Sequence, residues 1–124
     1  MAIVGSRGFA PLDLVREFVR ALPADTIVIS GGAPGVDYAA ETTARQRGLK
    51  IQVFPAHWWN QGHFNRAAGF QRNGLIVAAC DRLVAFWDGA SGGTKDTIRR
   101  AREAGKPYAI GIWAPGTGLV WGES

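Results

Sequence analysis

The chain is 124 residues long, 47% hydrophobic and 19% charged, which fits one soluble globular domain over 1–124 with a single buried core, and not a disordered chain. Its formal net charge of +4 favours anionic partners, although the basic residues are spread out, Arg45, Arg47 and Lys50 in one place and Arg99, Arg100 and Arg102 in another, as on solvated helix faces. A lone cysteine, Cys80, excludes an intrachain disulfide and a cysteine-rich metal site, and no apolar run is long enough to span a bilayer.

In chain order, Ala2 to Val4 reads as a short strand entering Gly5-Ser6-Arg7-Gly8. No basic leader stands before it, so a cytoplasmic location is expected. Pro11 suits the first turn of a helix. Leu12, Val15, Phe18, Val19 and Leu22 then share one face at helical spacing until Pro23. Thr26 to Ser30 has the continuous apolar centre of a strand covered on both faces, and it runs into Gly31-Gly32-Ala33-Pro34-Gly35-Val36-Asp37. The next helix covers about Val36 to Arg47, with Ala39, Ala40 and Ala44 permitting close packing and Gly48 stopping it.

Lys50 to Phe54 reads as a third strand. The stretch 55–69, carrying His57, Trp58, Trp59, Asn60, His63 and Asn65, is irregular and long enough to be functional. A helix follows from Phe70 to Cys80, then a strand from Arg82 to Trp87 and a glycine turn beginning at Asp88. Ile98 to Ala104 has helical character and is stopped by Gly105; Tyr108 to Trp113 is the last strand, and 114–124 is a glycine-rich tail holding Leu119, Val120 and Trp121.

Strands alternating with helices call for an α/β fold, a mostly parallel sheet of about five strands with helices on both faces. Right-handed crossovers place the strand C-terminal ends at one edge, where ligands bind. Three glycine clusters converge there: Gly5 to Gly8, Gly31 to Gly35, and Gly92-Gly93-Thr94. Strand, glycine turn and helix start offer backbone N–H groups to an anion, so the expected ligand carries phosphate. The amides of Gly92, Gly93 and Thr94, with the Thr94 hydroxyl, would hold it, helped by Gly5, Ser6, Arg7, Gly31, Gly32 and Gly35. Arg72, beside Asn73, would face the ribose or a second phosphate. Asp37 would accept from ribose hydroxyls, or serve only as a helix-end carboxylate favoured by the dipole.

No cluster fits the Walker pattern, and the dinucleotide fingerprint is not cleanly present, so a standard P-loop ATPase or a hydride-transfer enzyme is not expected, nor any cofactor. His57 and His63 have no acidic or cysteine companion, and no metal is expected. Trp58 and Trp59 form a base-stacking wall or fill the gap under a loop. Trp113 and Trp121 call for cover, which a homodimer would supply.

Val4-Gly5-Ser6-Arg7, the stretch from Ser30 to Asp37, Arg72-Asn73 and the stretch from Asp88 to Thr97, in this order and spacing, resemble the SLOG superfamily. This superfamily joins the SMF/DNA-processing-protein-A proteins to the "Lonely guy" cytokinin-activating phosphoribohydrolases, and within it the chain is most similar to the small stand-alone YspA-like proteins. The resemblance covers 2–113. It implies a Rossmann-like three-layer sandwich and a pocket for nucleotides or their derivatives.

The two branches imply different activities. In the phosphoribohydrolases a Pro-Gly-Gly-x-Gly-Thr-x-x-Glu motif and an upstream arginine serve cleavage of the base–ribose bond. Arg72 matches the arginine and Gly93-Thr94 the Gly-Thr, but the glutamate position falls on Thr97. A hydroxyl does not replace a carboxylate in activating water or stabilising an oxocarbenium-like centre. A hydrolase would therefore use Arg72 with Asp96, or with Asp37. The DNA-processing branch implies single-stranded DNA binding as a dimer, by a larger protein with further domains. Binding of a nucleotide or nucleotide-derived phosphate is the leading expectation. N-glycosidic hydrolysis of nucleoside monophosphates and single-stranded nucleic-acid binding are the alternatives.

Overall fold

In the computed structural model, which describes residues 1–122, the chain runs β1 (Ala2–Gly5), α1 (Asp13–Arg20), β2 (Ile27–Ser30), α2 (Val36–Gln46), β3 (Lys50–Val53), β4 (Trp59–Asn60), β5 (His63–Phe64), α3 (Ala68–Ala79), β6 (Leu83–Phe86), α4 (Gly92–Glu103), β7 (Tyr108–Ala114) and β8 (Gly118–Gly122). Six strands form one sheet in the order β3-β2-β1-β6-β7-β8, parallel except for β8, and β4 and β5 form a separate hairpin. This is a Rossmann-like fold.

The two-residue period of a strand sorts the apolar side chains into two cores. Ile3, Val28, Val84 and Phe86 point to one layer, where Val15 and Val19 of α1 and Val36, Ala39, Ala40 and Ala44 of α2 cover them. Ala2, Val4, Ile29, Leu83 and Ala85 point to the other, under Ile76 and Val77 of α3 and Ile98 and Ala101 of α4. Because both faces are covered, β6 is buried at all four positions. Phe86 anchors the first core, fully buried, with ring centroids 5.5 Å from Phe9, 5.7 Å from Phe18 and 5.6 Å from Trp121.

Four local features depart from expectation. The sheet has six strands, because the glycine-rich tail folds back as β8. Leu119 and Trp121 alternate with Val120, and a short loop with positive φ at Gly116 turns the chain, so Leu119 packs on the first core and Trp121 lies over Gly111. The irregular stretch contains the β4–β5 hairpin, whose two-residue turn, Gln61-Gly62, has positive φ at both positions. The last long helix begins at Gly92 and not near Ile98. Pro11, joined to Ala10 by a cis peptide bond, precedes α1 instead of opening it.

The C-terminal end of α3 is closed by a distant residue. Lys106 Nζ donates to the carbonyls of Val77 (2.6 Å), Ala78 (3.1 Å) and Cys80 (2.6 Å), satisfying acceptors that the helix leaves open. No described helix is long and apolar enough to cross a membrane.

The connectivity positions the site. From β1 the chain winds outward through β2 to β3, and α3 then returns it to β6 on the opposite side of β1. β1 and β6 are thus the adjacent strands at which the winding reverses, and a crevice opens at their C-terminal ends.

Candidate functional site

The crevice holds a cavity of about 380 Å³. The end of β1 and the loop after it supply Gly5, Arg7 and Gly8, and the segment after β2 supplies Ala33 and Asp37. Trp58 and Arg66 come from the segment carrying the hairpin, and Phe70, Arg72 and Asn73 from α3. Asp88, Ser91, Gly93, Thr94 and Thr97 close it from the β6–α4 side.

The turn after β6 is tied by its first residue. Asp88 Oδ1 accepts from the amides of Ala90 (2.9 Å) and Ser91 (2.7 Å), and the Asp88 amide donates to Ser6 Oγ (3.1 Å). Those backbone bonds hold the exposed Asp88 carboxyl below the usual carboxylate range. Trp87 Nε1 donates to the Ser91 carbonyl (3.0 Å), fixing the far side of the turn. With the turn held this way, α4 starts without a side-chain cap, and the amide of Lys95 donates to the Ser91 carbonyl (3.1 Å). The amides of Gly92, Gly93 and Thr94 precede that bond, in the first turn where a helix leaves donors open.

Facing this helix start, Arg72 is half-buried. Its Nη1 donates to the Gly31 carbonyl (2.8 Å) and its Nε to Asn73 Oδ1 (3.1 Å). Burial pulls the guanidinium pKa down and Arg7 adds to this, while Asp37 opposes it. The buried Asn73 amide donates to the Gly93 carbonyl (3.2 Å) and to Asp96 Oδ2 (3.1 Å), so α3 grips the first turn of α4. Asp37, also buried, accepts from the Ala33 amide (3.2 Å). Desolvation lifts its pKa to about 6, against the opposing influence of that amide and of Arg72.

Of the residues singled out by sequence, Gly5, Arg7, Asp37, Arg72, Asn73, Gly93 and Thr94 line the cavity together. Ser6 stands behind the wall, its Oγ 3.5 Å from Thr94 Oγ1. Gly31, Gly32 and Gly35 shape the chain instead. Gly35 has a φ of 86°, and a Cβ there would stand 2.9 Å from the Arg7 carbonyl oxygen. Gly92 and Asp96 border a second cavity on the other side of α4.

Asp96 is held by Arg99 Nη2 (2.7 Å) and Arg100 Nε (2.7 Å), one turn along the same helix. Burial pushes its carboxyl up, but the bonds from Arg100, Asn73 and Arg99 outweigh this and hold it below the usual range. Thr97, at the position where the phosphoribohydrolase motif carries glutamate, lines the cavity and donates its hydroxyl back to the Gly93 carbonyl (3.1 Å).

Sequence reasoning did not single out Arg66 or Phe70. Arg66 lies within the stretch 55–69 that looked irregular and Phe70 directly follows it, and the length of that stretch was the one signal that could have drawn attention to them. Trp58 reaches the cavity wall with its ring stacked on Phe64, centroids 6.0 Å apart. His63 pairs with Asn60 across the hairpin, and among the described residues no group of His, Cys, Asp and Glu is arranged to hold a metal ion.

Comparison with known proteins places this arrangement in a wider group. No protein-family model matches the chain. The Gene 61 protein of Mycobacterium phage D29 is 30% identical over 100 residues, which are 77% of this chain and 78% of that protein. DNA processing protein A from Streptococcus pneumoniae superposes with a TM-score of 0.76 at 22% identity, over 86% of this chain and 48% of that one. DNA processing protein A from Helicobacter pylori, described for its single-stranded DNA binding mode, gives 0.61 at 21% identity, over 86% of this chain and 62% of that one. The structural-genomics target TM1055 gives 0.61 at 20% identity, over 94% and 75%. The chain thus spans about half of the first DNA processing protein and under two thirds of the second, and what it shares with these three structures is the fold. The chain belongs to the family of the Gene 61 protein of Mycobacterium phage D29.

Proposed function

We propose that the cavity at the ends of β1 and β6 binds a nucleotide or nucleotide-derived phosphate. The observation that carries this reading is the start of α4. Gly92 and Gly93 are the first two residues of α4, and glycine costs up to about 1 kcal/mol relative to alanine within a helix. A Cβ on either would meet nothing within 4 Å, so packing inside the chain gives no reason for glycine. Close approach of an outside group to uncapped amides does. Arg7, Arg66 and Arg72 on the same wall add positive charge against Asp37 and Asp88. In this reading the phosphate sits on the Gly93 and Thr94 amides, Arg72 faces the ribose or a second phosphate, and the base lies toward Trp58.

The site favours binding over hydrolysis. Asp96 is engaged by two arginines and borders the other cavity, which leaves Asp37 as the buried carboxyl in the wall. Calorimetric titration of the protein with a panel of nucleoside monophosphates, with chromatography of the same mixtures for free base, tests both points. Saturable binding without base release is expected. Base release would establish the hydrolase, and absence of binding would reject the nucleotide reading.

Single-stranded nucleic-acid binding is a second reading, supported by the exposed aromatic side chains of Trp59 and Phe64 on the hairpin and by exposed Phe70, which lines the cavity with Arg66. Such a surface stacks bases without reading sequence, and its affinity falls steeply with salt. We also propose that the chain pairs with a second copy through β7 and β8, where Ile112 and Val120 lie opposite one another and both are exposed. Light scattering at rising concentration reads this directly; a monomer throughout would reject it.

A further inference from the structure

On the far side of the α4 start lies the second cavity, about 390 Å³, close in size to the first. Its apolar wall is formed by Trp87, Ile98 and Ile110, and its rim carries Lys95, Arg99 and Arg102, which recur one turn apart along α4. Asp96 is the one carboxylate among its lining residues, and it is already paired with Arg99 and Arg100. Phe70, half-exposed, belongs to the walls of both cavities. The first turn of α4 is divided between them in the same way: Gly93, Thr94 and Thr97 face the first, and Gly92, Lys95 and Asp96 the second.

We infer that the second cavity is a further nucleoside subsite, so that the ligand is a dinucleotide unit, two nucleosides joined by a phosphodiester, lying across Phe70. This rests on the reading of the first cavity as a nucleotide site. The chemistry of the walls supports it. Trp87 is a flat apolar surface held in one orientation by its bond to the Ser91 carbonyl, which suits stacking against a planar base. Arg102 is steadied by the Tyr108 hydroxyl (3.0 Å) and lies over that ring, so it is held at the rim. Lys95 is exposed, and its ammonium can follow a phosphate at the mouth. A mononucleotide would fill one cavity and leave the second, with Lys95 and Arg102 at its rim, unused. A single phosphodiester passing over Phe70 would connect the two.

The unit has two sources, a free dinucleotide or a stretch within a single strand. The test is calorimetric titration of the full chain with deoxyadenosine monophosphate, with the 5′-phosphorylated deoxyadenosine dinucleotide and with a ten-residue oligodeoxyadenylate. Wild type is compared with Lys95→Ala and with Ile110→Trp, which fills the second cavity. Circular dichroism and melting temperature confirm that both variants are folded. The dinucleotide should bind about 10-fold more tightly than the monophosphate, the scale of one added stacking contact. Both variants should remove that gain and leave monophosphate affinity within about twofold, since neither residue touches the first cavity. An oligomer that matches or exceeds the dinucleotide identifies a strand as the source, and one that binds more weakly identifies a free dinucleotide. Equal affinity for monophosphate and dinucleotide, or a gain untouched by either variant, overturns the second subsite while leaving the first in place. Failure of all three probes to bind overturns both.

Discussion

Asp37 and Arg72 approach each other across the backbone of Gly31. A Cβ on that glycine would stand 2.9 Å from Asp37 Oδ2 and 2.7 Å from Arg72 Nη1, and Arg72 uses the Gly31 carbonyl as its anchor. Gly31 is therefore the spacer that lets an acid and a base share one wall of the cavity. Gly31→Ala should push Arg72 off its anchor and cost about 1–3 kcal/mol, as overpacking of a tight site does. Denaturant unfolding measures the loss, and titration with a nucleoside monophosphate should show weaker binding in protein that remains folded.

The pH dependence of Asp37 has a definite sign. Its folded-state pKa of about 6 lies above the ordinary 3.8, so between these values the folded chain holds a proton that the unfolded chain has lost. This group's contribution to stability therefore declines as pH rises from 4 through 6, by on the order of 3 kcal/mol in total. Asp37→Asn keeps an acceptor for the Ala33 amide and removes the titration. Urea unfolding at pH 4.5 and pH 7.5 should show the variant gaining on wild type at the higher pH. An unchanged difference between the two proteins would mean that Asp37 ionises in the fold as it does in water.

Gly93→Ala separates the needs of the helix from those of a ligand. The new methyl meets no atom of the chain within 4 Å and raises helix propensity, so stability should hold or increase by about 0.5–1 kcal/mol. Nucleotide affinity should fall, because the methyl projects where a phosphate would approach. A variant as tight as wild type would remove the α4 start from the binding site.

Trp121→Ala tests whether β8 belongs to the core. The ring packs on Phe18 and Phe86 while remaining partly exposed, so its loss should cost about 1–2 kcal/mol. Urea midpoints measure the cost. A change near zero would make β8 an ornament of the sheet edge.

The fold was legible wherever one period ran uninterrupted. Ile27 to Ser30 and Leu83 to Phe86 are continuous apolar strands, and the α1 face shows in the spacing of Val15, Phe18, Val19 and Leu22. β8 was hidden because two of its five residues are glycine, and its pairing depends on Trp121 finding Phe86, thirty-five positions away in the chain. The start of α4 was hidden for the opposite reason: glycine pairs signal turns, and here the bonds of Asp88 and Asn73 hold the backbone helical against propensity. The convergence of the glycine clusters followed from the α/β alternation alone. Which glycines face the opening did not, since Gly35 is set by contact with Arg7, a residue of another loop. The engagement of Asp96 was written in the spacing of Arg99 and Arg100, three and four residues on.

Arg72 and Asn73 are consecutive residues on α3, yet they hold opposite halves of the sheet: Arg72 binds the carbonyl after β2, and Asn73 binds the first turn of α4. A single helical step thus works as a crossbar between the two halves that meet at β1 and β6. Through the Arg72 Nε bond to Asn73 Oδ1, the side chain that anchors on Gly31 is joined to the one that holds the Gly93 carbonyl, so the segment after β2 and the start of α4 are tied through two neighbouring residues.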